Sequence, residues 1–207
     1  MGRLVSPRGW KRPQPDIPWC VDNDAYGDYK RGAAWSEGPF TDLFYTDGNA
    51  CAGKVYQQSY GVRDPDFIAV PDKPFEGKES LAFSRSWFDR LAHDQRWYLV
   101  VQPGMSMEDV AEAWEDAYEL SGVVLRGIFV GGDARYKWRT LRAWREFTRD
   151  RDAQLHVGGL SSVKSLARAM LARADSADSS AFGRFNKFVN VREARRLAHG
   201  QRILSVA

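Results

Sequence analysis

Six short apolar runs in this sequence end in a residue that can do chemistry or let a ligand approach closely. Asp22 follows Cys20 and Val21, Asp72 follows Ile68 to Pro71, and Gln102 follows Leu99 to Val101. Gly131 and Gly132 follow Ile128 to Val130, Gly158 and Gly159 follow Leu155 to Val157, and Asp178 follows Ser176 and Ala177. One ionised Asp can attack or stabilise an electron-poor carbon, and a second can carry a proton to the leaving group. A third carboxylate, with an amide, can read donor and acceptor edges. Cleavage at a sugar's anomeric carbon, through an oxocarbenium-like state, needs such a pair of carboxylates. Glycines at two of the ends leave a flat polar ligand room against the backbone. Taken singly, an Asp after a strand more often caps a turn or the next helix. Recurrence at every strand end is what points to a site.

The elements that must carry these residues are short. The apolar runs predict strands at Trp19–Val21, Phe67–Val70, Tyr98–Val101, Ile128–Val130, Gln154–Val157 and Ser176–Ala177, as buried parallel strands tend to be. Ser106 can cap a helix with Val110, Ala113, Trp114, Ala117 and Tyr118 on one face, and Gly122 suits its stop. A second helix runs through Trp138, Leu141, Trp144 and Thr148, and a third starts at Ser161 with Val163, Leu166, Ala167, Met170 and Leu171 on one side. Strands alternating with helices predict βα units around a mainly parallel sheet. In a (β/α) barrel the strand ends converge on one face; in an open doubly wound sheet they line the crevice at the switch point. Met1–Pro18 and Gly27–Tyr60 carry Pro, Arg, turn formers and aromatics without periodicity, and read as irregular surface segments.

Length and composition set outer bounds. The chain has 207 residues, 43% of them hydrophobic, enough to bury the core of one domain over 1–207. Its apolar runs stop far short of the roughly 18 to 20 residues of a membrane helix, and MGRLVSPRGWKR lacks the apolar stretch of a signal peptide, so a cytoplasmic protein without a membrane partner is the expectation. Two cysteines, Cys20 and Cys51, exclude a disulfide framework and a four-cysteine zinc site. His93, His156 and His199 have no metal-ligand spacing, so neither metal nor cofactor is expected, and His156, inside a strand, reads as a hydrogen-bonded structural residue. The FVGG and HVGG glycine pairs lack the spacing of a dinucleotide fingerprint or a P-loop lysine.

A formal charge of +3 is too small for a polycation, so a polyanion must meet a local patch. Arg135, Lys137, Arg139, Arg142, Arg145, Arg149 and Arg151 cluster on one helix, whereas the helix through Glu108, Asp109, Glu112, Glu115, Asp116 and Glu119 carries no cation. Two solvated faces are the plain reading; a phosphate-binding stripe is the functional one. Arg184, Lys187, Arg192, Arg195 and Arg196 follow the Asp178 loop and are better placed to meet a nucleic-acid backbone, with Arg8, Lys11 and Arg12 as a flexible arm.

The ordered set WCVDNDAY, FIAVPD, LVVQPG, GIFVGGDARYKW, HVGGLSS and ARADSADSSAFGRF, from Trp19 to about Phe185, resembles the tRNA-guanine transglycosylase superfamily, and within it the zinc-free, DNA-acting branch of DpdA-like transglycosylases and antiphage DNA glycosylases. The resemblance implies a compact TIM-type (β/α) barrel of the α/β class, shortened or lacking some elements at this length. It implies Asp22 and Asp178 as the catalytic pair, with Asp178 at the position of the nucleophile. Asp72 and Gln102 would read the base edge, Gly131 and Gly132 would line the base pocket, and Asp175 would support it. Asp24, beside Asp22, is counted with the base-binding residues, and the charge clusters above point to Arg184, Lys187, Arg135 and Lys137 as the residues that would meet DNA. The sequence departs from the family at Asp24, which replaces a glycine, at Pro103, which replaces an acid, at Gly159, where the branch commonly has arginine, and at Ser179 with Ser180, which replace GT.

These readings converge on a DNA glycosylase. As the resemblance implies, such an enzyme would flip a modified nucleotide out of DNA, because the glycosidic bond is inaccessible in the stack, and cleave that bond in defence against phages with modified DNA. A transglycosylase that inserts a 7-deazaguanine shares the first step. A non-catalytic nucleic-acid-binding relative is the third alternative.

Overall fold

The computed structural model describes residues 3–8, 19–44 and 64–179. In chain order these form β1 (Arg3–Val5), β2 (Trp19–Val21), α1 (Ala25–Arg31), α2 (Glu37–Phe44), β3 (Ile68–Ala69), α3 (Lys78–Arg85), a 3₁₀ turn (Phe88–Arg90), β4 (Trp97–Val101), α4 (Met107–Glu119), β5 (Leu125–Val130), α5 (Ala134–Arg149), β6 (Gln154–Val157), α6 (Val163–Leu171) and β7 (Ser176–Ala177). The chain makes two compact units, Met1–Gly127 and Ile128–Ala207, whose boundary falls within β5.

In the first unit the strands lie in chain order from β1 to β5. β1 pairs parallel with β2 in the register Leu4 to Cys20, β2 with β3 through Val21 and Ile68, and β3 with β4 through Ala69 and Tyr98. All five residues of β4 are buried, as expected of a parallel strand covered on both faces. Trp19, Val21, Ile68, Leu99 and Val101 form the centre of this unit's core, and Phe67 stacks on Tyr98 with ring centroids 4.2 Å apart. α4 begins with a capping box: the Ser106 hydroxyl accepts the Asp109 N–H at 3.0 Å while the Asp109 carboxylate reaches back to Ser106. Its buried stripe is Val110, Ala113 and Ala117; Tyr118, expected on the same face, is 65% exposed. Gly122, with φ 68°, ends the turn by donating to Tyr118 O at 2.9 Å.

The second unit continues the order from β5 through β6 to β7, with His156 opposite Ser176 and Val157 opposite Ala177 in a parallel pair. Asp133 caps α5 by accepting the Tyr136 N–H at 2.7 Å, and Leu141, Trp144 and Phe147 are its buried apolar face. Ser162, one residue beyond the expected start, caps α6. The buried stripe of α6 runs through Ser165 and Ala169, while Met170 is 39% and Leu171 84% exposed. The expected face is therefore one residue off, about 100° around the helix.

Both units are α/β with parallel strands, as the alternating pattern predicts. Three differences concern segments read as featureless or left unassigned. α1 and α2 lie in the stretch expected to be irregular; Trp35 and Phe40 pack there against each other and against Trp87, at 5.5 to 6.1 Å between centroids. β1 lies within the Pro- and Arg-rich segment Met1–Pro18 and is held by its ladder to β2. α3 buries Ser80 and Ser84 beside Leu81, and the Ser84 hydroxyl donates to Pro71 O at 2.8 Å, so half of its inward face is polar and the periodicity is masked. Among the described residues no helix is long and apolar enough to cross a membrane.

Candidate functional site

In the first unit the carboxyl ends of β2, β3 and β4 bring together Asn23, Asp72 and Gln102, all buried. Asn23 Nδ2 donates to Asp72 Oδ1 at 2.8 Å and to Val70 O at 2.7 Å, and Gln102 Nε2 donates to Asp72 Oδ2 at 2.7 Å. The same amide nitrogen lies 2.9 Å from Lys73 O and 2.7 Å from Ser80 Oγ, three acceptors for two hydrogens, and Gln102 Oε1 accepts the Phe75 N–H. Burial pushes the Asp72 carboxyl up to about 6, against the opposing pull of the Asn23 and Gln102 hydrogen bonds. The two groups expected to read a base edge thus engage each other, and both must exchange these bonds to engage a ligand. Phe75, at φ 66°, is held in a conformation that a bulky side chain rarely adopts.

Asp22 is half-buried beside this network, its N–H donating to Val5 O at 2.8 Å. Asp24, at φ 62°, lies 3.9 Å from Arg8 and 3.8 Å from Arg31; burial raises its carboxyl, and the two cations oppose the rise. Gly27 lets Asp24 pass close, since a Cβ there would overlap its carboxylate. Asp28, which sequence reasoning did not single out, is the buried anchor of this corner. Arg8 grips both of its oxygens, Nη2 at 2.9 Å from Oδ2, and Arg31 Nη2 bonds Oδ1 at 2.7 Å. The Arg8 bond is the main cause of the lowered Asp28 carboxyl. Arg8 was expected in a flexible arm and instead fastens β1 to α1.

Because its folded value is depressed, Asp28 stabilises the fold above the ordinary carboxylate range, and that contribution is lost as pH falls through the depressed value. Arg8→Ala accordingly lowers the urea midpoint at pH 7, and by less at pH 3, below the unfolded carboxyl's range, where part of that contribution is already lost. Equal shifts at the two pH values would exclude this role.

In the second unit, Gly131 and Gly132 end β5, Gly158 and Gly159 end β6, and Asp178 ends β7, as the spacing predicts. Asp178 Oδ1 accepts the Gly159 N–H at 2.9 Å and faces His156 Nε2 at 3.1 Å. His156 Nδ1 lies 2.8 Å from the Ser176 hydroxyl. Opposite a carboxylate Nε2 is the protonated ring nitrogen, so Nδ1 accepts from Ser176. His156 is the buried, hydrogen-bonded residue expected, and its partner is Asp178. Gly158 permits this approach: a Cβ there would overlap the Phe129 ring and stand 3.3 Å from Asp178 Oδ1. The Asp178 side chain is 21% exposed, and among the described residues no hydrogen bond reaches Oδ2.

Two expected site residues sit differently. Asp175 precedes β7 where Asp178 follows it, and its Oδ2 binds Arg145 Nη1 and the Leu155 N–H, each at 2.8 Å; it clasps the amino ends of β6 and β7 rather than sharing the Asp178 loop. Lys137, expected among phosphate-facing cations, is only 7% exposed, with Nζ donating to Gly158 O at 2.5 Å. Arg135, two residues earlier on α5, is exposed. Arg184 and Lys187 lie outside the described residues. Among the described residues, no three His, Cys, Asp or Glu side chains gather to hold a metal ion.

Set against protein-family models, curated proteins and solved structures, the chain matches none.

Proposed function

We propose that this protein is a DNA glycosylase that extrudes a modified nucleotide and cleaves its N-glycosidic bond, and that the parallel strands belong to a shortened (β/α) barrel. The observation that supports this best is the state of Asp178. One carboxylate oxygen is fixed by two N–H donors, and the other, at a strand's carboxyl end, receives no hydrogen bond from the described residues. A carboxylate that only capped a turn would not need a buried histidine held from its other ring nitrogen by the Ser176 hydroxyl. In the proposed reaction Oδ2 attacks or electrostatically supports C1′ as the base departs. By the resemblance, Asp22 would handle the proton, Asp72 and Gln102 would read the base edge, and Gly131 and Gly132 would admit the flat ring. The modified base and the role in phage defence come from the resemblance.

The test is base release. Purified protein incubated with DNAs carrying different modified bases frees base and leaves abasic sites, detected by mass spectrometry, with no base added. Exchange that occurs only when a deazapurine is supplied would replace excision by transglycosylation.

A further inference from the structure

The second unit holds a buried cation that base cleavage does not use. Lys137 reaches from the first turns of α5 to the Gly158 carbonyl, and its Nζ is shielded from water. Burial lowers the amine below its ordinary range, while Asp178 and Asp133 pull it back up. On the other side of the same turn stands Gly159, exposed, at φ 62°; a Cβ there would lie 3.5 Å from Nζ. The Gly159 N–H is the group that binds Asp178 Oδ1 at 2.9 Å. Amine and carboxylate therefore flank one glycine that carries no side chain to cover either. A desolvated lysine beside a carboxylate is suited to condense with a carbonyl carbon.

The carbonyl compound that such a site would meet is the product of the proposed reaction, since an abasic deoxyribose in its open form is an aldehyde at C1′. We propose that Lys137 forms a Schiff base with the C1′ aldehyde of an abasic site in DNA and cleaves the strand on its 3′ side by β-elimination; this rests on the glycosylase reading above. The nitrogen lone pair attacks C1′, and the carbinolamine takes up a proton from solvent and loses water to give an iminium, the proton being returned when the imine is later hydrolysed. The Asp178 carboxylate takes a proton from C2′, the electron pair closes the C2′–C3′ double bond, and the C3′–O3′ bond breaks with the phosphate leaving. Water then hydrolyses the imine and frees the amine. No oxidant or reductant is consumed.

The alternative is that Lys137 only anchors the Gly158 carbonyl. The full chain is incubated with a duplex containing one abasic site, made beforehand by uracil excision, in the presence of sodium borohydride, which reduces an iminium to a stable bond. The expected result is a covalent protein–DNA adduct whose peptide mass maps to Lys137. Lys137→Arg, which keeps the charge and the bond to Gly158 but cannot form the imine, lowers the adduct to background, and Lys164→Gln, an exposed lysine, leaves it intact. Absence of an adduct in the unmodified protein, or an adduct on another amine, overturns the proposal without reliance on any variant. Base release assayed in parallel separates the two readings. Release without an adduct refutes only the lyase step, and absence of both refutes the lyase and the glycosylase together.

Discussion

Asp178→Asn lowers base release by about 10³-fold or more and leaves DNA affinity within a few-fold. The substitution is nearly isosteric. An asparagine carbonyl in the place of Oδ1 still accepts from Gly159 and from His156 Nε2, so the turn between β6 and α6 keeps its shape. What changes is the open position: an amide nitrogen without charge or nucleophilic lone pair replaces Oδ2. Loss of rate at constant affinity is the signature of a group that acts in the transition state rather than in binding. The measurement is single-turnover release of base from modified DNA, with binding followed by fluorescence anisotropy. Full release by the variant would remove Asp178 from the chemistry and favour a binding module.

Stability falls by about 2 kcal/mol between pH 4 and pH 7 through Asp72 alone, and Asp72→Asn abolishes that part of the slope. The acid titrates near 3.8 when unfolded and about 6 when folded, so the folded state holds the proton more tightly. The preference is fully present below pH 4, is lost as pH rises through 6, and is constant beyond it. Asp28 has the opposite sign and acts at lower pH, because its folded carboxyl is depressed. Urea unfolding at half-unit intervals reads both. A variant slope between pH 4 and pH 7 that equals the parent's would mean that Asp72 is ionised without cost, and the Asn23 and Gln102 bonds would then have to outweigh its burial.

The strands and their reactive ends are legible in the sequence because a short buried parallel strand has to be an unbroken apolar run, and the residue after it stands out. Trp19–Val21, Gln154–Val157 and Ser176–Ala177 have the predicted bounds. β5 starts at Leu125, earlier than expected, because exposed Arg126 and buried Gly127 interrupt the apolar run. The partners of the site residues are not legible in the same way. That His156 serves Asp178 depends on the register of β6 against β7, which places residues 156 and 176 opposite each other, and register is a tertiary property. Lys137 reads as one cation of a surface stripe, and only the packing of α5 turns it inward. Asp175 and Asp178 belong to one short motif, yet the two-residue strand between them puts them at opposite ends of β7.

Strand order that follows chain order within each unit bears on biosynthesis. Among the described residues, each strand after β1 pairs with the strand before it in the chain, so no described strand has to wait for a later partner out of order. Such a chain can add one βα layer at a time as it leaves the ribosome, amino-terminal unit first. Reversing that sequence by circular permutation would burden assembly far more than it would alter the finished protein.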